Sequence, residues 1–144
     1  MNPLPLVAVL LLAAGPVLAQ PAQPGPTLAA VQARGALLCG APNAAPGFGV
    51  MDSQGIYRGL DADTCRAVAA AIFGDATKVR FLPNTTVQRF PMLQSGEIDM
   101  LARNTTWTLA RETQLGLAFT GTNYYDGQGF MVRKNSGVTS ARQL

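Results

Sequence analysis

The sequence predicts an α/β domain built on a parallel sheet, and two observations support this prediction. Apolar segments of strand character alternate with segments whose apolar residues recur every three or four positions, in the order strand, helix, strand, helix, strand. The chain has 144 residues, of which 48% are hydrophobic and 13% charged, which is enough for one domain with a core. Right-handed crossovers through the helices would then place the strands parallel.

The N-terminal segment, residues 1–19, predicts a secretory signal peptide. Its apolar run, residues 6–14, is followed by small residues at Val17 and Ala19. The run is shorter than the roughly 20 apolar residues that a membrane-spanning helix needs. No Lys or Arg precedes the run, so an uncleaved short anchor or a misassigned start codon is the alternative. Residues 20–26 are rich in Pro and Gly and predict an unstructured lead-in.

The first elements of the domain are predicted from their terminal residues. Thr27 is a suitable N-cap for a short helix, and Gly35 can end it in the left-handed conformation. A strand, residues 36–39, follows, and after it a loop dense in Gly and Pro, residues 40–50, where a ligand can approach the backbone. The polar turn at residues 52–55 then predicts a small hairpin.

The second half of the sheet is predicted from periodicity. Asp61 is a suitable N-cap for a helix that ends at Gly74. One face of this helix carries the apolar residues Ala62, Cys65, Val68, Ala69 and Ile72. A strand at residues 78–83, a short helix at 89–95 and a third strand at 97–102, apolar enough to be buried on both faces, complete the pattern.

The loop after the third strand, residues 103–111, is suited to an anionic partner. Its sequence, RNTTWTLAR, offers two guanidinium groups, threonine hydroxyls and one amide, and no acid. In parallel sheets ligands bind beyond the carboxyl ends of the strands, so this loop and residues 40–50 would line one crevice. Thr108 is predicted to cap a short helix that carries Arg111.

The C-terminal part, after that helix, predicts two more strands and an incomplete element. Residues 115–119 alternate in polarity, and an apolar strand is expected around 129–132. Thr139 or Ser140 is a suitable N-cap for a helix, but only a few residues of the sequence follow it. The sequence is therefore expected to end inside an element.

Charge and composition exclude several function classes. The formal net charge of +3 is spread singly, and no basic run exceeds the pair Arg133 and Lys134, so nucleic-acid binding is not expected. Histidine is absent, which excludes a Ser-His-Asp triad, a His general base and a His metal site within this chain. We expect no catalytic residues, no metal and no cofactor.

The two cysteines predict a disulfide if the chain is exported. Cys39 ends an apolar strand, and Cys65 lies on the apolar face of the following helix. An oxidising compartment would favour their pairing, which would stabilise the fold by roughly 3 to 4 kcal/mol on the chain-entropy description. A pair of buried, reduced cysteines is the alternative.

Three long segments of the chain are distinctive: GLDADTCRAVAAAIFGDATKV, LQSGEIDMLARNTTWTLARET and YYDGQGFMVRK. Through these segments, residues 27–144 resemble the periplasmic substrate-binding proteins of polar amino-acid ABC transporters, particularly the general L-amino-acid binding subunit. The position of Cys65 also fits the disulfide pattern of that subfamily. The resemblance implies a periplasmic-binding-protein-like lobe of type II: lobe 1 at residues 27–133, and a truncated start of lobe 2 or hinge at 134–144.

The resemblance also implies partners and site residues. It implies a monomeric periplasmic protein without enzymatic activity, which captures L-amino acids between two lobes and delivers them to permease subunits in the inner membrane. Arg111 would bind the substrate α-carboxylate, since guanidinium and carboxylate form two parallel hydrogen bonds. Asn104 and Thr106 would surround the carboxylate and the α-amino group, and Arg103 would read the side chain or the facing lobe. Asn43 and Phe48 would flank the ligand.

Two alternatives remain open from the sequence. One is a truncated fragment without independent activity, since a lone lobe is expected to bind weakly. The other is a periplasmic enzyme of the same fold, such as a dehydratase. Against the enzyme stand the missing histidine and the positions of Glu97 and Asp99, which are predicted to lie at the start of a buried strand away from the crevice.

Overall fold

The computed structural model describes residues 24–42 and 44–144. The predicted signal peptide, most of the predicted lead-in and Asn43 lie outside these residues. The elements follow in the order α1 (Pro26–Arg34), β1 (Leu37–Ala41), β2 (Ala44–Ala45), β3 (Gly49–Met51), β4 (Tyr57–Arg58), α2 (Leu60–Phe73), β5 (Val79–Pro83), α3 (Arg89–Gln94), β6 (Met100–Leu101), α4 (Leu109–Thr113) and a 3₁₀ helix (Ala141–Gln143).

The main sheet has three parallel strands in the order β5-β1-β6. The central strand β1 pairs with β5 from Leu37 opposite Val79 to Ala41 opposite Pro83, and with β6 where Cys39 lies opposite Met100. The sequence prediction of a parallel α/β sheet is therefore confirmed. Because all three strands run the same way, their carboxyl ends meet at one edge.

The core packs β1 against α1 and α2. Of the apolar face predicted for α2, Ala62, Cys65 and Ala69 are buried, while Val68 and Ile72 are half-buried. Cys39 of β1 and Cys65 of α2 form the predicted disulfide, with their Cα atoms 6.2 Å apart. The buried residues form three small clusters: Val31, Leu37 and Ala69; Cys39, Cys65 and Ala102; Ala41, Tyr57 and Ala62.

A second, antiparallel sheet is formed by β2, β3 and β4. The turn between β3 and β4 is held by Asp52, whose Oδ1 accepts hydrogen bonds from the backbone N–H groups of Gln54 and Ile56, both at 2.9 Å. An aspartate that accepts bonds from residues just after it stabilises a turn. The predicted hairpin around residues 52–55 is therefore confirmed.

The predicted starts of α1 and α2 were wrong, whereas their predicted C-terminal ends were right. α1 begins at Pro26 after the N-cap Gly25, one residue before Thr27, because proline is suited to the first helical position. α2 has Gly59 as N-cap, at φ 117°, and Asp61 lies inside its first turn with a buried side chain. Gly35 and Gly74 end these helices in the left-handed conformation, as predicted.

The third strand and the C-terminal part differ from the sequence prediction. β6 comprises two half-buried residues rather than the predicted doubly buried strand at 97–102. The strands expected around 115–119 and 129–132 are not formed, because these segments have no neighbouring strand to pair with among the described residues. Ser140 and Gln143 form a capping box at the 3₁₀ helix, in agreement with the predicted cap. In the part of the chain that the structure describes, no helix has the length and apolar character needed to cross a membrane.

Candidate functional site

The candidate site lies at the edge where the strands of the main sheet end. The loop after β5 is tied to the end of β1 by a hydrogen bond from Asn84 N to Ala41 O at 3.4 Å. The chain leaving β6 is tied to the same strand by a bond from Ala102 N to Gly40 O at 2.9 Å. Close packing at this edge requires a glycine, because a Cβ on Gly40 would lie 2.5 Å from Ile98 Cδ1 and 2.7 Å from Asn84 Nδ2.

Arg103, a predicted site residue, connects two of these loops. Its Nη1 donates to the carbonyl of Asn84 and, at 2.9 Å, to the side-chain oxygen of the same residue. Its Nε donates to Asn104 Oδ1 at 3.2 Å. Burial lowers the pKa of Arg103, and the nearby charge of Asp61 opposes that shift. Much of the donor capacity of Arg103 is thus used inside the protein.

Arg111 is held at the same edge by its short helix and by the loop before it. Thr108 is the N-cap of α4, and its Oγ1 accepts a hydrogen bond from Arg111 N at 3.3 Å, as the sequence predicted. The half-buried side chain of Arg111 folds back, and its Nη1 donates to the carbonyl of Thr106. The structure therefore brings Arg103, Asn104, Thr106 and Arg111 together around one loop.

Arg89 was missed by the sequence interpretation. It is the first residue of α3 and is only 5% exposed, and its Nη1 donates to the carbonyl of Asn104 at 3.0 Å. Burial lowers the pKa of Arg89, and the positive charges of Arg111 and Arg103 lower it further. The sequence could have indicated Arg89 only through its place in the first turn of the helix that follows β5. Its burial could not be predicted, because tertiary packing decides whether an arginine is buried.

Phe90, the next residue, was also missed. Its ring centroid lies 4.7 Å from Cζ of Arg89 and 5.3 Å from Cζ of Arg111. Both distances are within the roughly 6 Å range of cation–π interactions. Three guanidinium groups and one aromatic ring thus surround the loop that the sequence proposed as an anion site.

Phe48 lies in the turn between β2 and β3, because the segment predicted as one loop at residues 40–50 forms these two short strands instead. Its ring contacts that of Tyr124 edge to face, with centroids 5.0 Å apart, and its carbonyl accepts a bond from Asp61 N. Asn43, the other site residue predicted in this loop, lies outside the described residues. The structure therefore places Phe48 against the start of α2 and the segment around Tyr124.

Asp61 adds a buried carboxylate to this region. It is 2% exposed, and its Oδ1 accepts a hydrogen bond from Asn123 Nδ2 at 3.5 Å. Burial raises the pKa of Asp61, while the bond from Asn123 and the charge of Arg103 oppose that increase. The carboxylate of Asp61 is thus close enough to Arg103 for their charges to interact.

The arrangement can bind a small carboxylate. Arg111 uses one amino group on the carbonyl of Thr106, and a guanidinium has further donors in a planar fork that matches a carboxylate. Asn104 and Thr106 belong to the same loop and are exposed. The salt bridges among the described residues involve Arg34, Arg58 and Arg66, so the charge of Arg111 is not neutralised by an acid there.

Two curated proteins illustrate the relatives that this chain matches. The chain is 52% identical over 118 residues to the general L-amino acid-binding periplasmic protein AapJ of Rhizobium johnstonii, covering 82% of this chain and 35% of that protein. It is 51% identical over 126 residues to the putative amino-acid ABC transporter-binding protein YhdW of Escherichia coli, covering 88% of this chain and 37% of that protein. The chain thus spans little more than a third of the length of these relatives.

Solved structures confirm the predicted periplasmic-binding-protein-like fold. An ABC transporter periplasmic binding protein from Brucella ovis with glutathione bound is similar at a TM-score of 0.75 and 55% identity, over 82% of this chain and 37% of that one. The arginine-bound form of domain 1 from TmArgBP, as its Phe57Trp mutant in that protein's own numbering, is similar at a TM-score of 0.53 and 26% identity, over 59% of this chain and 64% of that one. Residues 37–142 match the family of bacterial extracellular solute-binding proteins, family 3, and the chain belongs to this family.

Proposed function

We propose that the chain forms an amino-acid-binding lobe of an extracytoplasmic solute-binding protein, and that Arg111 binds the α-carboxylate of the ligand. The observation that supports this most is the position of Arg111 at the strand edge. Its guanidinium is held by the carbonyl of Thr106, carries no salt bridge among the described residues, and has donors left for an anion.

The relatives support a ligand with an amino-acid end. AapJ is named for binding L-amino acids, and the Brucella protein is described with glutathione bound. Glutathione keeps a free α-amino acid group at its glutamyl end, so both ligands offer the carboxylate that Arg111 is suited to bind. Domain 1 from TmArgBP is described in an arginine-bound form, which supports binding by a single lobe in that protein.

We assign roles to the other predicted site residues from their contacts and exposure. Asn104 and Thr106 are proposed to surround the carboxylate and the α-amino group, because both are exposed in the loop at residues 103–111. Arg103 is proposed mainly to shape the site, since its bonds to Asn84 and Asn104 hold two loops together. Phe48 and Asn43 remain predicted to flank the ligand from the segment at residues 40–50.

The wider organisation is part of the same proposal. Residues 1–19 direct export to the periplasm, and 20–25 form a lead-in, one residue shorter than predicted because α1 begins at Pro26. Residues 26–133 form the first lobe, and 134–144 begin a hinge or second lobe. Tyr125 and Met131 are 87% and 99% exposed, and such large apolar surfaces fit contact with another lobe. The complete protein would bind L-amino acids as a monomer, without catalysis, and deliver them to ABC permease subunits in the inner membrane.

Titration of the isotopically labelled, purified chain with free amino acids tests the proposal. NMR spectroscopy is suitable because a lone lobe lacks half the contacts, and a loss of about 4 kcal/mol weakens binding roughly a thousandfold. L-Leucine, L-glutamine, L-arginine and glutathione should shift the resonances of residues 103–111. Leucinamide, which lacks the carboxylate, is the matched control and should not. Equal shifts with leucine and leucinamide, or none with any amino acid, would contradict the proposal.

A further inference from the structure

We propose that Phe90 is a positioning residue for Arg111, whose guanidinium its ring holds at the strand edge through a cation–π interaction. This inference rests on the proposed function, because it explains how the carboxylate-binding cation is kept in place. The guanidinium carbon of Arg111 lies 5.3 Å from the Phe90 ring centroid. Phe90 belongs to α3 and Arg111 to α4, so the contact joins two separate elements.

Arg111 needs such a partner because its surroundings are positive. The charges of both Arg111 and Arg103 lower the pKa of Arg89, which indicates that Arg89 and Arg111 lie close enough for their charges to repel. The chain contains an instructive contrast in Arg66, which lies 5.2 Å from the Phe81 ring and also forms a salt bridge with Asp63. Arg111 has the ring but, among the described residues, no acidic partner.

An aromatic partner has a functional advantage over an acidic one. A carboxylate beside Arg111 would neutralise it and occupy the donors that the substrate carboxylate needs. A ring attracts the cation through the negative charge on its face, while the N–H donors remain available to hydrogen-bond acceptors. Phe90 can thus orient Arg111 without competing for the anion.

Arg89 anchors the ring from inside the protein. Its buried guanidinium lies 4.7 Å from the Phe90 centroid and donates to the carbonyl of Asn104. Arg89 therefore contacts both the Phe90 ring and the loop that carries Thr106. Thr106 is the residue whose carbonyl accepts the hydrogen bond from Arg111. The Phe90 ring, the loop at residues 103–111 and the guanidinium of Arg111 are consequently positioned before a ligand binds. This preorganisation limits the entropy cost of binding.

The test replaces Phe90 by phenylalanines with increasing numbers of ring fluorines, which weaken the negative face and keep the shape of the ring. We expect the affinity of the chain for L-leucine to fall stepwise, by about two- to tenfold for the fully fluorinated ring. The same substitutions at Phe73, a half-buried core residue of α2, are the matched control and should leave the affinity unchanged. Phe90→Trp should retain binding, whereas Phe90→Leu should lose as much as the fluorinated ring.

A second readout separates this inference from the proposed function. The side-chain protons of Arg111 should show an upfield ring-current shift in the free wild-type chain, which disappears in Phe90→Leu. If no amino acid binds the wild-type chain, the proposed function fails and the ring-current shift alone decides whether Phe90 holds Arg111. If the wild type binds L-leucine and full fluorination leaves its affinity unchanged, or if the shift is absent, the inference is overturned.

Discussion

Nη1 of Arg103 lies 2.9 Å from the side-chain oxygen of Asn84 and also donates to the carbonyl of that residue, so one guanidinium joins the loops after β5 and β6. Asn84 is buried, and its amide donates to the carbonyl of Leu82 at 3.2 Å. The position of the loop at residues 103–111 thus depends on the hydrogen-bonded pair of Arg103 and Asn84, which lies outside α4.

Arg103→Ala should destabilise the chain by about 1–3 kcal/mol, because it leaves two oxygens of the buried Asn84 without a donor. Asn84→Ala removes the side-chain bond to Arg103 and the amide bond to Leu82 but keeps the Asn84 carbonyl, so a double-mutant cycle in urea denaturation should show positive coupling between Arg103 and Asn84. Arg103→Lys is the control for charge, and it should recover little of the loss because a single ammonium cannot copy the guanidinium geometry. Strict additivity of the two alanine variants would contradict this description.

Gly40→Ala should destabilise the chain by about 1–3 kcal/mol, the cost of overpacking a dense core. The new Cβ would lie 2.5 Å from Ile98 Cδ1, 2.7 Å from Asn84 Nδ2 and 3.0 Å from Leu101 Cδ1. Gly127→Ala is the matched control, because a Cβ there meets no atom within 4 Å. The midpoints of thermal unfolding of the two variants should differ clearly, and equal midpoints would show that the strand edge tolerates a side chain.

Reduction of the Cys39–Cys65 disulfide should lower the free energy of unfolding by roughly 3 kcal/mol, because the bond closes a loop between residues 26 positions apart. Denaturant titrations with and without a reductant measure this difference. The variant that carries both Cys39→Ala and Cys65→Ala is the control, and reductant should not alter its stability. Two free thiols in the unfolded, unreduced chain would contradict the pairing.

Asp61→Asn should have a pH-dependent effect on stability. Burial raises the pKa of Asp61 in the folded chain above its unfolded value. A group of this kind contributes stability below the unfolded pKa of about 3.9, and the contribution is lost as pH rises through the folded pKa. The variant should therefore gain stability relative to the wild type between acidic pH and neutrality.

The control for this prediction is Asp63→Asn, which removes the same charge from an exposed carboxylate in the same helix turn. Urea denaturation between acidic pH and neutrality measures the stability of each variant relative to the wild type. A stability difference for Asp61→Asn that stays constant with pH would show that the buried carboxylate does not titrate as described.

The sequence predicted those features of the fold that depend on local chemistry. Gly35 and Gly74 were correctly predicted to end helices, since glycine adopts the left-handed conformation at little cost. The starts of the same helices were predicted wrongly because capping preferences of Thr27 and Asp61 were overridden by Pro26 in one case and by burial in the other. The capping preference of a single residue therefore predicts a helix start poorly where tertiary packing determines the position of that side chain.

At the candidate site, too, local patterns were predictable and long-range contacts were not. The loop of Arg103, Asn104, Thr106 and Arg111 could be placed from the alternation of strands and helices, because parallel strands end at one edge. Arg89 and Phe90 could not be found, since their contacts to that loop join residues distant in sequence. Non-local contacts of this kind leave no pattern in a single chain.

The role of Arg111 is tested most directly by the affinities of the wild-type chain and of Arg111→Ala for L-leucine and for leucinamide. The substitution should weaken L-leucine binding about tenfold, the loss expected for a charged hydrogen-bonded pair, and should leave any weak affinity for leucinamide unchanged. Unaltered affinity for L-leucine in Arg111→Ala would contradict the central claim that this guanidinium binds the carboxylate.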